Sequence, residues 1–461
     1  MSDSAVDAGR REGGPRRLGV EEEFHLVDLQ TRRLAPRAPE LLDRIGHEAF
    51  VAEMQRCVVE VNSNVVGTLD ELRADLAGSR GHLGATAKEL GLGIVAAGTV
   101  PLAIPAELKL TETARYRRML ADYQLLAREQ LICGTQIHVD VDSREQGVRL
   151  GQRVAPYLPT LLALSASSPY GASGADTGYA SGRTLAWIRW PTTGLASGAL
   201  TEAEYDGEVE DLINAGIITD EKMMYFDTRP TSIPSLELRI CDSCPSIDTI
   251  VLIAGLFRAL VDREARFEAE RIEPVTFSPT LGRAAVWRAA RSGLEGELVD
   301  LEHRTHRPAA ELVNMLAHSL KEDLIANGDW ELVGDLLDAQ LIAGSSAARQ
   351  RRAMRRHGQL TDVVDLLMAE TTRTFSPAPA TADPSTMLED YVPEEGASAI
   401  DEAITAEGAP NRLYAEVIEA AIRLGSPTMR RREARMEDLQ RADGVTFRAS
   451  GQQSRVFPLD L

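Results

Sequence analysis

The chain has 461 residues, 44% of them hydrophobic and 26% charged, which excludes a wholly disordered or fibrous protein. Fifty basic residues against 70 acidic ones leave a net charge of −20, which argues against nonspecific nucleic-acid binding and against a polybasic membrane anchor. Length allows about three average domains, or one large catalytic domain with appendages. Only Lys88, Lys109, Lys222 and Lys321 are lysines, and there is no G-x-x-x-x-G-K-[ST] phosphate loop. Four cysteines are too few for a secreted disulfide scaffold, and Cys241-x-x-Cys244 lacks a second pair of metal ligands. With a polar N-terminus and no apolar stretch able to span a bilayer, the expectation is a cytoplasmic protein.

In chain order, residues 1–16 read as a disordered leader, and a domain over 17–375 follows. Leu18–Asp28 and Val58–Asn64 read as strands, and Thr68–Leu90 and Tyr116–Glu129 as helices. Gln136, His138, Asp140 and Asp142 alternate with Ile137, Val139 and Val141, a half-buried strand. Gly171–Gly178 reads as a plain connection, with closure over a substrate as the sharper alternative. Leu236, Leu238 and Ile240 alternate with Glu237 and Arg239. Helical patterns then cover Ser246–Glu270, with Ser246 as N-cap, and Gly282–Ser292, Ala309–Asn327 and Leu360–Thr372. The basic run Arg349–Arg356 reads as a solvated helix face, with phosphate contact as the sharper alternative. Residues 376–398 have the composition of a flexible linker, and 399–461 form a tail with a helical pattern over Ala399–Leu424. Alternating rather than continuously apolar strands predict an antiparallel sheet, and hence an α+β fold with a helical C-terminal portion.

The polar faces of these strands carry the chemistry. Glu21 and Glu23 share one face of the first strand; Glu60, His138, and Glu237 with Arg239 lie on three others. Solvated faces of ordinary strands would look the same singly. Carboxylates gathered from several strands onto one face need neutralising, and oxygen ligands with one imidazole suit Mg²⁺ or Mn²⁺. Arg183, Arg189 and Arg229 are candidates for binding carboxylate or phosphate. The remaining histidines read as surface or packing groups, and Cys57, Cys133 and Cys241 as small core residues within strands.

The strings GVEEEFHLVD, VVEVNSN, GTQIHVDVD, YASGR with its following PTTG, DTRPTSIPSLELRICDS, WRAARSGLEGELVD and GSSAARQRRAMRRHGQLTDVVDLLMAET occur in this order from about Leu18 to Thr372. Together they resemble the carboxylate–amine ligases of the YbdK type, within the type 2 glutamate–cysteine ligase family and the glutamine-synthetase-like superfamily. The resemblance implies a curved antiparallel sheet, an open half-barrel backed by helices, whose inner face holds metal and ATP. It implies metal ligands at Glu21, Glu23, Glu53, Glu60, His138 and Glu237, and phosphate contact at Arg239. Glu53 lies seven residues before Glu60, an odd offset that needs a turn or bulge for the two to share a face. Glu22, on the opposite face, is expected in a structural salt bridge or in solvent.

The activity implied is ATP-dependent joining of a small-molecule carboxylate, the γ-carboxyl of glutamate, to an amine such as cysteine through an acyl phosphate. Glu237 and Arg239 would be catalytic, with Arg183, Arg229 and Arg239 binding substrate or phosphate. The tail, with GVTF and FPLDL, resembles the opening of circularly permuted ATP-grasp proteins. A fused or partner ATP-grasp module, or a catalytically weak scaffold serving one, is therefore the alternative reading. The acceptor amine, the group that deprotonates it, and the oligomeric state, a homo-oligomer included, stay open.

Overall fold

A computed structural model of the chain describes residues 14–103 and 109–373 and, in the tail, the backbone of 446–447 and 455–456. The chain divides into two units, residues 1–374 and 375–461. The first is built on a seven-stranded sheet: β1 (Leu18–Asp28), β2 (Phe50–Ala52), β3 (Val58–Asn62), β4 (Leu92–Val95), β5 (Thr135–Asp140), β6 (Thr228–Pro230) and β7 (Ser235–Leu238). Their order is β2-β3-β1-β5-β7-β6, every pairing is antiparallel, and β4 joins the C-terminal half of β1. A separate hairpin pairs β8 (Glu297–Asp300) with β9 (Thr305–Pro308).

Alternation assigns the two faces. Leu18, Val20, Phe24 and Leu26 of β1, Val59 and Val61 of β3, Ile137 and Val139 of β5, and Leu236 and Leu238 of β7 are all buried on one side. Helices cover this side: α1 (Ala38–Ile45), α2 (Leu69–Glu89), α5 (Arg144–Val154), α6 (Leu158–Ser165) and α9 (Ile247–Ala269). From Ile247 to Val261, helix α9 is apolar on most sides, because sheet and outer helices enclose it. Thr68 and Glu71 form a capping box that fixes the start of α2. Short helices α3 (Ala114–Tyr123), α4 (Leu125–Arg128), α7 (Gly182–Trp187) and α8 (Glu202–Asn214) lie between the strands in sequence. Helices α10 (Pro279–Ser292), α11 (Ala309–Ser319), α12 (Lys321–Ala326), α13 (Trp330–Ala343), α14 (Ser346–His357) and α15 (Leu360–Thr371) follow.

Several sequence expectations need correcting. The helix expected over Tyr116–Glu129 is broken at Gln124, whose φ of 48° turns the chain, although glutamine is a good helix former. Ala309–Asn327 is likewise two helices, because Leu320 turns into the core at 0% exposure. Helix α10 starts at Pro279 rather than Gly282, capped by the Ser278 hydroxyl accepting from the Leu281 N–H at 3.2 Å. Ser246 occupies the N-cap position of α9, but its side chain makes no capping bond. Asp142 and Ile240 fall just outside β5 and β7, and Cys57, Cys133 and Cys241 sit beside strands rather than in them. All four cysteines are free and buried.

The linker and the Ala399–Leu424 helical pattern lie outside the described residues; of the tail, Thr446–Phe447 pairs antiparallel with Arg455–Val456. Among the described residues, no helix is long and apolar enough to cross a membrane.

Candidate functional site

The face of the sheet opposite the core lines a cavity of about 480 Å³. Cross-strand register gathers the acidic side chains there. Glu23 on β1 lies directly opposite Glu60 on β3, and Glu21 opposite Gln136 on β5. His138 on β5 faces Glu237 on β7, which in turn faces Arg229 on β6. Strand β2 ends at Ala52, and the turn that follows brings Glu53 back beside Glu60, which resolves the odd offset.

Two carboxylate-rich triads result. Ligand atoms of Glu21, His138 and Glu237 lie within 4.8 Å of one another, as do those of Glu23, Glu53 and Glu60. Their donors, oxygens and a single imidazole, suit a hard divalent cation such as Mg²⁺ or Mn²⁺. The His138 Nε2 is 3.3 Å from Glu21 and its Nδ1 is 3.4 Å from the Ser235 hydroxyl, an outer partner that orients the ring.

The triads differ electrostatically. Burial pushes the Glu23 carboxyl up to about 8, with the Glu53 charge adding to it. Burial likewise raises Glu53, and it raises Glu60 well above the usual range with help from Glu53, Glu21 and Glu23. In the other triad, burial would raise Glu237, but the Arg239 and Arg229 guanidiniums hold it down at about 2. Burial opposes charge on His138, yet its bond to Glu21 and the Glu237 charge raise its pKa. Glu237 is thus held ionised by its arginines, whereas burial favours the protonated forms of Glu23, Glu53 and Glu60.

This difference predicts a pH dependence. Glu23 binds its proton more tightly folded, at about 8, than at the ordinary value of 4.5. The stability this contributes is present below the unfolded value and is lost as pH rises from 4.5 through about 8. Ion-free protein should therefore melt progressively lower across that window. Added Mg²⁺ should raise the melting temperature far more at the upper end than at the lower, because binding displaces protons. A Mg²⁺ effect independent of pH, measured by differential scanning fluorimetry, would contradict the assignment.

Arginines complete the wall. Arg229 donates to Glu237 Oε2 through Nη2 at 2.8 Å, and Arg239 pairs with Oε1 of the same carboxylate. Arg183, from α7, lines the cavity too. Arg189 does not: it pairs with Glu129 at 2.6 Å, away from the cavity wall. Glu22, on the core face of β1, forms the expected structural salt bridge, accepting from Arg80 at 2.5 Å. His25 continues the face of Glu21 and Glu23, but it is fully buried and burial pushes it down to about 4, so it is a neutral packing group. The Gly171–Gly178 loop is tied by Asp176 to Arg351 at 2.6 Å, and Arg349 pairs with Glu370 at 2.8 Å; Arg355 and Arg356 are exposed, and none of the run lines the cavity.

Sequence reasoning missed the opposite wall. Tyr116, Met119, Trp187, Trp190 and Tyr225, with Arg115 and Lys222 among them, come from short helices and loops that share no strand period. Their rings pack together, Trp187 on Tyr225 at 4.9 Å and Trp190 on Tyr225 at 5.4 Å. The tryptophans flanking Arg189 in an aromatic-poor chain were the available signal.

Comparison with known proteins adds the following. The family described as "Glutamate-cysteine ligase family 2" matches residues 17–366. A protein of Mycolicibacterium smegmatis, named "Putative glutamate--cysteine ligase 2-2", is 58% identical over 382 residues, 83% of this chain and 94% of its own length. A similarly named Rhodococcus jostii protein is 58% identical over 358 residues, 77% of this chain but only 45% of its own length. A Frankia alni protein, 47% identical over 461 residues, covers 96% of this chain, which spans 53% of it. The chain thus spans about half the length of two of these relatives. Among solved structures, the glutamate–cysteine ligase of Francisella tularensis in complex with AMP superposes with a TM-score of 0.59 at 12% identity, covering 79% of this chain and 90% of its own. A bifunctional glutathione synthetase from Pasteurella multocida gives 0.55 at 16%, covering 77% of this chain and 53% of its own. The fold is the glutamine-synthetase-like one that the sequence motifs implied.

Proposed function

Since this chain belongs to glutamate–cysteine ligase family 2, we propose that it is an ATP-dependent ligase that joins the γ-carboxyl of glutamate to an amine through an acyl phosphate. The observation that carries this reading is the pair of acid triads on one face of the sheet, where Glu21, Glu23, Glu53 and Glu60 line the cavity together with Arg183, Arg229 and Arg239. A carboxylate and an amine do not condense unaided, because oxide is a poor leaving group. Phosphorylation supplies a better one, and phosphoryl transfer asks the protein for positioning and charge neutralisation rather than covalent help.

The residues fit that demand. Glu21, His138 and Glu237 would hold one Mg²⁺ or Mn²⁺, and Glu23, Glu53 and Glu60 another. When bound, such ions neutralise phosphate charge and act as Lewis acids. Arg229 keeps Glu237 ionised and oriented from the neighbouring strand. Arg239, one residue past the end of β7, reaches the same carboxylate and presents the rest of its guanidinium to the cavity, where transferring phosphate would meet it. Gln136 accepts from Arg239 at 3.3 Å and donates to Glu23 at 3.3 Å, linking the two triads. The aromatic wall excludes water from the developing acyl phosphate.

We take residues 17–375 as the catalytic domain. The tail has a counterpart in the Frankia relative, whose match covers 96% of this chain and about half of the relative, and this supports a role in a longer two-enzyme protein. The ligase reading is tested by incubating the protein with glutamate, MgATP and hydroxylamine. A γ-glutamyl hydroxamate is expected, formed with one ADP released per product and absent without Mg²⁺. No hydroxamate from glutamate or other carboxylic acids would favour the scaffold reading.

A further inference from the structure

Arg183 stands apart from the other wall arginines. It is 4% exposed, and no carboxylate among the described residues forms an ion pair with it. Its Nη1 and Nη2 donate to the backbone carbonyls of Ile240 and Arg239, each at 3.1 Å, and its Nε is buried without a partner. A buried guanidinium hydrogen-bonded only to carbonyls, with Asp242, Asp227 and Glu23 acting on it without direct contact, still bears a desolvation cost, and such a cost is offset when an anion docks. Its immobility is as notable as its isolation. The Trp187 ring lies 5.4 Å from the guanidinium, and a Cβ on Gly134 would come within 2.6 Å of Nη2.

Behind Arg183 sits a second buried carboxylate that the proposed chemistry does not use. Asp242, at 0% exposure, follows β7 on the same chain segment as Arg239. Its Oδ1 accepts from the Ser181 hydroxyl at 2.7 Å. Its Oδ2 accepts from the Ser168 hydroxyl at 2.6 Å and the Ser167 N–H at 2.9 Å. Those serines in turn hold α7: the Ser181 hydroxyl accepts from the Thr184 N–H at 3.2 Å, and the Ser168 hydroxyl accepts from the N–H of Arg183 itself at 3.0 Å. The network has no slack, since a Cβ on Gly98 would approach the Asp242 carboxylate to 2.7 Å. Burial raises the Asp242 pKa, while the Arg183 charge and these donors pull it down. The carboxylate therefore neither pairs with Arg183 nor lets it move.

We propose that Asp242 is a positioning residue which, through Ser168 and Ser181, fixes Arg183 as the receptor for a substrate oxyanion, either a carboxylate of the acid substrate or a phosphate of the nucleotide. This deepens the ligase reading and rests on it. The wall then has a division of labour: Arg229 is held by Glu237, Arg239 divides its guanidinium between Glu237 and the transferring phosphate, and Arg183 serves the ligand's oxyanion.

The test is a double-mutant cycle of Asp242→Asn and Arg183→Met, read in the hydroxamate assay with glutamate and MgATP varied separately. Asp242→Asn should raise one KM about tenfold or more and change kcat by less than about threefold. Arg183→Met should raise the same KM, and the double variant should be no worse than Arg183→Met alone. A shift in the KM for glutamate identifies the anion as carboxylate, and a shift in that for MgATP identifies it as phosphate. Unchanged KM values in Asp242→Asn, or an undiminished cost of that change in the Arg183→Met background, would overturn the proposal. If Asp242→Asn does not fold, Ser181→Ala takes its place in the cycle with the same expected pattern. If the wild-type chain forms no hydroxamate, the ligase reading falls. Calorimetric affinities of the four proteins for MgADP and for glutamate then decide the positioning role, and additive or absent effects overturn it.

Discussion

Glu23→Gln should abolish Mg²⁺-dependent hydroxamate formation, by roughly three orders of magnitude or more, while leaving the ion-free protein as stable as before or more so. The loss follows from the several kcal/mol that a metal ion contributes at a transferring phosphoryl group, at about 1.4 kcal/mol per tenfold. The stability follows from the triad: Glu23, Glu53 and Glu60 crowd within 4.8 Å at a half-buried site and repel one another when ionised. Glutamine is preferred to alanine because the Gly134 N–H donates to Glu23 Oε2 at 2.6 Å, and a buried donor without an acceptor would cost about 1–3 kcal/mol. The variant should also lose the Mg²⁺-induced rise in melting temperature at the upper end of the pH window. Full turnover in Glu23→Gln would remove this triad from the mechanism.

Arg239→Ala should lower hydroxamate formation by roughly 10²–10³-fold, the usual scale for a single electrostatic donor at a transition state. Glu237 complicates the reading, because it accepts from Arg229 as well as Arg239, and either loss exposes part of a buried carboxylate. The comparison with Arg229→Ala resolves this. If Arg239 acts on the transferred phosphate, its removal should cost far more in kcat than removal of Arg229, with little change in the KM for MgATP. Equal losses in the two variants would mean that both serve only to hold Glu237. Arg239→Lys should recover only part of the activity, since a lysine supplies charge but no planar fork.

The strands that carry the acids were legible in the sequence because their period is two and their apolar partners are strict. Val20 and Phe24 bracket Glu21 and Glu23 on β1, Ile137 and Val139 bracket His138 on β5, and Leu236 and Leu238 bracket Glu237 on β7; all six apolar side chains are buried. Glu53 was harder, because it lies beyond the end of β2 and reaches the site through a turn. The aromatic wall left only the pair of tryptophans around Arg189 as a sequence signal. Trp187 and Trp190 come from α7 and the loop after it, Tyr116 from α3, and Tyr225 from a loop, so only tertiary contact unites them. Asp242 was hidden for a related reason: its partners Ser167, Ser168 and Ser181 lie 61 to 75 positions away in the chain. Helix breaks at Gln124 and Leu320 escaped notice because neither residue is a breaker; Leu320 is buried in the core, whereas Gln124 turns the chain at an exposed position.

The buried Glu22–Arg80 pair has a bearing on how this family can diverge. Arg80 bridges Glu22, the carbonyls of Cys244 at 2.7 Å and Pro245 at 2.5 Å, and the Phe24 ring at 5.5 Å, all with almost no exposure. Losing either charge alone strands the other in a dry interior, at about 3–5 kcal/mol, a large share of a typical domain's stability. Replacing both by apolar residues of matched volume is close to neutral. An evolutionary path from one arrangement to the other must therefore cross an intermediate that barely folds. Positions 22 and 80 should accordingly be inherited together, as an ionic pair or as an apolar one, with mixed pairs almost absent among descendants of a common ancestor.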